Sequence, residues 1–278
     1  VLALRSLIRR SKPHVVLGMM TTASVLAVAA ARRLPCRVIA SEHTHPPAQG
    51  LAPMWERLRR WAYPRAHAVV ALTTGTAEWL ERNVPGAKVS VIPNAVRWPM
   101  ERSEPVVPPP DRHGRCRLLA VGRLHPHKGF DVLLRAFAQL APLYPDWDLV
   151  ILGEGDEREA LQATIEANGL GERVSMPGRV GNLADWYADA DLYVLSSRVE
   201  GLSNTLIEAM ASGLPEWRKS PTTAETSEII ASAALKQSVT LISSSASAPK
   251  RCSRPVDAAS AASISRISSH AACSSGER

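Results

Sequence analysis

Two cations and two carboxylates carry the chemistry that this sequence offers. Arg123 and Lys128 stand in the run Gly122-Arg123-Leu124-His125-Pro126-His127-Lys128-Gly129-Phe130-Asp131, on a loop between a predicted strand and the start of a helix. Arg123 can fork onto phosphate oxygens and Lys128 adds a compact charge. Each charge-assisted contact of this kind contributes about 1.5–3 kcal/mol. Further along, Ser203 is a good N-cap and Gly213 a good residue just beyond the end of a helix, and Glu208 lies midway between them. A carboxylate there can accept hydrogen bonds from two vicinal hydroxyls, as a ribose presents. Glu200 precedes the same helix, and Gly201 directly after it lets a ligand approach the backbone. With the first-turn N–H groups and the helix dipole behind them, an anion is the natural ligand of that entry.

Asn204, Thr205, Glu208 and Ser212 form one polar stripe on this helix. On an isolated amphipathic helix such a stripe is an ordinary solvated face. Two features argue against that: the stripe has no Lys or Arg, and Glu200 stands just outside it. The loop 122–129 has the wrong order for a Walker sequence, which needs its Lys after a glycine-rich turn and before Ser or Thr. Gly153-Glu154-Gly155 lacks the third glycine of a dinucleotide fingerprint and does not follow the first strand of its unit. His43-x-His45 and His125-x-His127 have no Cys, Asp or Glu partners at metal-ligand spacing, so no metal site is expected. A diphosphate ligand fits these residues better than a dinucleotide.

The elements that must position these residues alternate. Helices are predicted near 1–11, 22–32 and 53–62, with another capped near Thr74 and Thr76, and strands at 14–18, 36–41, 67–72 and 88–92. Pro46 and Pro47 forbid helix in the loop after Glu42. Residues 97–115, with Pro99, Pro105 and Pro108-Pro109-Pro110, read as a linker. Beyond it, strands at 117–121, 148–152, 173–176 and 191–196 alternate with helices, and Phe130, Leu133, Leu134, Phe137 and Leu140 recur at helical spacing. This pattern predicts an α/β fold with parallel sheets covered on both faces. Its loops 122–129, 153–155 and 198–203 then gather at the carboxyl edge of one sheet, where ligands bind in such folds. Residues 216–278 contain 16 serines and no aromatic after Trp217, and read as a disordered or frameshifted tail.

The chain of 278 residues, 45% hydrophobic and 21% charged, is ordinary for a globular protein of two domains. Its net charge of +7 is uneven: residues 1–65 hold eleven Lys/Arg against two Glu. Such a surface suits phosphate backbones, anionic lipids or anionic substrates. Cys36, Cys116, Cys252 and Cys273 include no Cys-x-x-Cys pair, which suggests a reducing compartment. The uncharged stretch Val15–Ala31 could imitate a signal or a short span, but Gly18 and Thr21-Thr22 divide it into a strand and a capped helix. The absence of an initiator methionine suggests the interior of a longer gene.

Glu200 and Glu208 as Glu-x7-Glu, with Gly-Arg-Leu-x3-Lys-Gly-x-Asp at 122–131, together resemble the retaining nucleotide-sugar glycosyltransferases of family 4, the group 1 glycosyltransferase domain. Ser41-Glu42-His43-Thr44 and Val91-Ile92-Pro93-Asn94 extend the similarity over about residues 1–215. The resemblance implies a GT-B fold: two Rossmann-like domains facing a cleft, both incomplete here. Residues 1–96 would be the acceptor-side domain and 116–215 the donor domain. Gly122, Arg123 and Lys128 would hold the donor diphosphate and Glu208 the nucleotide ribose. Glu200 would touch the transferred sugar, with Gly201, Leu202 and Ser203 supplying backbone N–H groups, and His43 would face the donor sugar and the acceptor. The substrate would be a nucleotide sugar, UDP- or GDP-linked, with no cofactor. The acceptor would be a glycan or a polyprenyl-diphosphate-linked oligosaccharide, the protein cytoplasmic and peripheral on the inner face of an anionic membrane. The Ser-Glu-His segment and the Trp/Arg-rich helix after it resemble enzymes that add hexose or N-acetylhexosamine to lipid-linked oligosaccharides. Other readings are an inactive fragment, and a basic nucleic-acid-binding module, which lacks a reading helix or stacking motif.

Overall fold

The computed structural model describes residues 1–214 and the backbone of 216–218; the remainder of the segment read as a tail lies outside the described residues. The described residues form two compact units, one of residues 1–95 with 199–204, the other of 96–198 with the described residues after 204.

The first unit runs α1 (Leu2–Ser11), β1 (Val15–Met19), α2 (Met20–Ala31), β2 (Arg37–Glu42), α3 (Pro53–Ala62), β3 (Ala68–Ala71), α4 (Thr74–Asn83) and β4 (Val89–Val91). Its four strands are parallel and adjacent in chain order, as alternating strands and helices dictate. Val38, Ala40, Val69 and Ala71 of the sheet pack with Val25, Val28 and Leu80 of the helices. Gly18 is needed where α2 crosses β1, because a Cβ there would stand 2.5 Å from the Ser24 Cα. Ser24 Oγ donates to the Gly18 carbonyl at 2.8 Å and fixes that approach.

Three local expectations change. The helix α2 begins at Met20, at φ 69°, with no side-chain cap; Thr21 turns instead to Glu42. The cap of α4 is Thr73, whose hydroxyl accepts from the Thr76 N–H. Pro46–Ala48 form one 3₁₀ turn, which proline at its start tolerates because no N–H is required there. The stretch 15–31 is β1 followed by α2, and no described helix is long and apolar enough to cross a membrane.

The second unit runs β5 (Cys116–Val121), α5 (Phe130–Leu140), β6 (Trp147–Leu152), α6 (Arg158–Ala167), β7 (Val174–Gly178), α7 (Leu183–Asp189), β8 (Leu192–Leu195), α8 (Asn204–Ala211) and β9 (Glu216–Arg218). The sheet order is β7-β6-β5-β8-β9, parallel throughout. Every residue of β5 is buried, since alternate side chains enter different cores. Leu118 and Ala120 join Leu133, Leu134 and Phe137 of α5. Leu119 and Val121 join Trp186, Tyr187 and Leu206 on the other face. Burying each such large side chain contributes about 1.5–3 kcal/mol, which fixes the central strand firmly.

Two features of this unit extend beyond the sequence expectation. The backbone of 216–218, at the start of the serine-rich segment, pairs with β8 in parallel register. The proline-rich segment 97–115 is also seated rather than free. Ser103 N–H donates to Gly181, Gly181 N–H donates to Pro105, and the Asn182 amide and the Trp186 indole N–H both donate to Val107 O.

Candidate functional site

In the second unit the loops after β5, β6 and β8 emerge at the carboxyl edge of the sheet. The order β7-β6-β5-β8-β9 reverses direction at β5, so the crevice beside its carboxyl end is the switch point of the sheet. The loop 122–129 sits there, held from both sides. From the β6 side, Gly122 N–H donates to Leu152 O at 2.9 Å and Leu124 N–H to Glu154 O at 3.0 Å. This closeness explains Gly153-Glu154-Gly155: a Cβ at Gly153 would stand 1.9 Å from Gly122 O, and one at Gly155 2.3 Å from Leu124 O. These glycines admit a neighbouring loop.

From the β8 side, Arg198 N–H donates to His127 O at 2.7 Å and Ser196 Oγ to Lys128 O at 2.9 Å. Gly129, at φ 66°, lies so close to this strand end that a Cβ would meet Ser196 O at 2.3 Å. The Arg198 guanidinium also forks onto the Asp131 carboxylate and donates to Pro126 O. Hydrogen bonds from Arg198 hold the Asp131 carboxyl at about 2, well below its ordinary 3.8, against a partial burial that raises it.

On this fastened loop Arg123 is exposed, with no side-chain hydrogen bond or ion pair among the described residues. The aliphatic stem of Lys128 passes 3.4 Å from the position a Gly122 Cβ would take. The lysine stem thus lies at ordinary contact distance from the end of β5, on the same fastened loop as Arg123.

Glu208 is half-buried on α8 and accepts a hydrogen bond from Tyr187 Oη at 3.1 Å. Burial, and then the neighbouring Tyr193 and Glu208, raise the Tyr187 hydroxyl well above its usual range, so it remains a donor. Thr205, one turn earlier, bonds Tyr193 Oη at 2.6 Å. The polar stripe of α8 is thus partly tied to two tyrosines rather than wholly solvated. Leu214 N–H to Ala209 O and Gly213 N–H to Met210 O close the helix end, with Gly213 at φ 72° as its spacing predicts.

The first unit holds the other site residues. Glu42 ends β2 fully buried, accepting from Tyr63 Oη at 2.6 Å and Thr21 Oγ1 at 2.9 Å, with Arg59 Nε 3.6 Å away. Burial raises the Glu42 carboxyl, opposed by Tyr63 and Arg59. His43, the next residue, is half-buried, and its Nε2 lies 2.9 Å from Ser41 Oγ. The segment 199–204 belongs to this unit: Thr44 and Gly201 form an antiparallel bridge, and Asn94 Nδ2 donates to Asn204 Oδ1 at 2.7 Å. A Cβ at Gly201 would stand 1.9 Å from His43 O, so this glycine is required by the close approach to His43. Glu200 and Leu202 are half-buried beside it and Ser203 is buried.

Gly122, Arg123, Lys128 and Glu208 thus lie in the second unit, and His43, Glu200, Gly201, Leu202 and Ser203 in the first. Among the described residues no group of three His, Cys, Asp or Glu is placed to hold a metal ion. Sequence reasoning gave no role to Asp131, Arg198, Tyr187, Tyr193 or Asn94. Asp131 closes the motif at 122–131 and Arg198 directly precedes the Glu200 loop, so opposite charges beside two expected site loops were the available signal.

Comparison with known proteins places both units. Residues 1–97 match the profile described as Glycosyltransferase Family 4, and residues 115–216 match Glycosyl transferases group 1. The chain is 31% identical over 209 residues to an α-1,4-N-acetyl-D-galactosaminyltransferase of Campylobacter jejuni that acts on a diNAcBac-PP-undecaprenol-linked glycan, covering 75% of this chain and 56% of the relative. It is 31% identical over 159 residues to the lipopolysaccharide core mannosyltransferase LpcC of Rhizobium leguminosarum, covering 55% of this chain and 45% of the relative. It thus spans about half the length of these relatives. The pneumococcal O-GlcNAc transferase GtfA, solved with UDP and GlcNAc, superposes with a TM-score of 0.64 at 19% identity, over 81% of this chain and 46% of GtfA. With two parallel α/β units matched by two adjacent profiles of one enzyme class, the chain belongs to the group 1/family 4 glycosyltransferases, with the GT-B fold.

Proposed function

We propose that this protein transfers a sugar, with retention of anomeric configuration, from a nucleotide sugar to a glycan or lipid-linked oligosaccharide acceptor. The observation that carries the proposal is the loop 122–129, which bears Arg123 and Lys128 and is fastened from both sides at the switch point of the second sheet. Gly122, Arg123 and Lys128 hold the donor diphosphate. Glu208, oriented by Tyr187, binds the ribose hydroxyls. Glu200 contacts the transferred sugar, the backbone N–H groups of Gly201, Leu202 and Ser203 approach the donor, and His43 faces the sugar and the acceptor.

The chemistry follows from charge. As the bond from the anomeric carbon to the diphosphate lengthens, negative charge grows on the leaving phosphate, and preorganised cations stabilise it most at that moment. The acceptor hydroxyl oxygen forms its bond to the anomeric carbon from the face that the diphosphate leaves, and its proton passes to the departing phosphate oxygen. No metal or cofactor takes part. The donor is a UDP- or GDP-sugar carrying a hexose or N-acetylhexosamine, a reading supported by the sugars named in the two relatives and by the UDP in the GtfA structure. A polyprenyl-diphosphate-linked acceptor is supported by the Campylobacter relative. Peripheral binding to an anionic membrane is supported by exposed Leu2, Leu7 and Met54 beside exposed Arg9, Arg10, Arg57 and Arg60 on α1 and α3.

The test is calorimetric titration with UDP and GDP, followed by NMR of the anomeric proton of any transferred sugar. Binding of one nucleotide, abolished by Lys128→Ala, together with an α-product from an α-donor is expected. Absence of nucleotide binding, or an inverted product, would overturn the proposal.

A further inference from the structure

We infer that the first unit carries a second anion site, at the amino edge of its sheet, built for a phosphate-bearing ligand. A cavity of about 590 Å³ opens there, within the usual size range of small-molecule sites. It is lined where α2 ends and where β2, β3 and β4 begin, the sheet edge opposite to the one that bears Glu42 and His43. Arg32, Arg33, Arg37, Arg65, Lys88 and His67 all contribute, and among the described residues no Asp or Glu lines it. Five fixed positive charges thus face one hollow without a counter-charge.

The ordinary explanation for cations at this edge is that they satisfy helix C-termini. It accounts for Arg65, which donates to Trp61 O, and for Arg5 outside the cavity, which donates to Ala30 O and Arg32 O. It does not account for Arg32, Arg33, Arg37 or Lys88, whose side chains make no hydrogen bond or ion pair among the described residues. Arg33 moreover occupies the left-handed region at φ 59°, where a non-glycine residue is uncommon. The turn that holds it there is closed by Leu34 N–H to Ala31 O at 2.9 Å. Packing of like charges around a concave surface raises the local anion concentration, and guanidinium groups match phosphate oxygens in pairs. The ligand is therefore a phosphate or diphosphate group, either on a soluble molecule or on an acidic lipid head.

Equilibrium dialysis of the full chain with radiolabelled pyrophosphate at physiological salt, and flotation with phosphatidylglycerol against phosphatidylcholine vesicles, distinguish the two sources. Binding at this cavity, measured in Lys128→Ala so that the donor loop adds none, should fall at least tenfold when Arg33→Asn/Arg37→Gln/Lys88→Gln is added, in which asparagine suits the left-handed turn, and severalfold with the single exposed Arg37→Gln. It should persist in Lys128→Ala. Cys36, half-buried in the same cavity, locates the ligand: its alkylation should slow when pyrophosphate or phosphatidylglycerol is bound. Pyrophosphate binding alone assigns a soluble ligand, and phosphatidylglycerol binding alone a lipid head. Binding to neither, or binding lost in Lys128→Ala and kept in the Arg33/Arg37/Lys88 variant, would overturn the inference.

Discussion

The Arg198 guanidinium meets the Asp131 carboxylate through two parallel bonds, 2.6 and 2.7 Å long, joining the loop after β8 to the first turn of α5. Between these anchors lies the loop that presents Arg123 and Lys128. A paired fork fixes orientation as well as distance, so this contact sets where the cations stand. Arg198→Ala should weaken nucleotide binding about fivefold, on the order of 1 kcal/mol for a partly exposed ion pair. Asp131→Asn should do nearly the same, and the double variant little more, because the two residues form one device. Calorimetry on the three variants checks this; additive losses would disprove the coupling.

The same pair gives a pH dependence. Asp131 is held at about 2 against an ordinary 3.8, so the folded state gives up this proton more readily than the unfolded chain. The stabilisation from the charged carboxylate is complete above about pH 4 and disappears as the pH falls through about 2. Thermal melts between pH 5 and 2 should show Asp131→Asn losing less stability on acidification than the natural protein.

Tyr187→Phe and Glu208→Ala should separate orientation from binding. Removing the tyrosine hydroxyl leaves the carboxylate in place but free to rotate, and should cost nucleotide affinity about threefold, the order of one neutral hydrogen bond. Removing the carboxylate should cost tenfold or more, about 1.5–3 kcal/mol for bonds to a charged group. Deoxyribose nucleotides provide the control: they should narrow the difference between Glu208→Ala and the natural protein.

Gly153→Ala should damage the same loop from its other side. At φ 136°, with Gly122 O only 1.9 Å from an added Cβ, the substitution cannot be accommodated without moving the strand end beneath Lys128. A loss of about 2–3 kcal/mol is expected, read as a lower melting temperature together with weaker nucleotide binding. Gly169→Ala is also at positive φ, but has no atom within 4 Å of an added Cβ, and should be milder.

In the first unit, Arg59→Ala would leave Glu42 buried without its nearby cation. Breaking such a pair costs about 3–5 kcal/mol. Because Glu42 is fully buried at the end of β2, the loss should appear as unfolding of this unit. Arg59→Met, which keeps the bulk of the side chain beside Trp79 while removing its charge, should not rescue stability if Glu42 remains charged; Arg59→Met/Glu42→Gln should recover much of it.

The sequence by itself determined the alternation of strands and helices and the helix carrying Glu208. Those follow from local periodicity and from residues such as Gly213 whose backbone preference is local. It also supplied the residue types, Arg123, Lys128 and Glu208, on which the proposed donor site rests. It could not determine what Gly153 and Gly155 are for, because a glycine's role depends on what approaches it, and here that is the loop 122–124 from another strand. Nor could it pair Asp131 with Arg198, or Glu42 with Tyr63 and Arg59, since contacts between residues far apart in sequence exist only once the parallel strands stack. Tertiary structure likewise decided that residues 199–204 group with 1–95, through the bridge from Thr44 to Gly201, although the chain brings them directly from β8. Backbone hydrogen bonding to a distant strand end outweighed proximity along the chain.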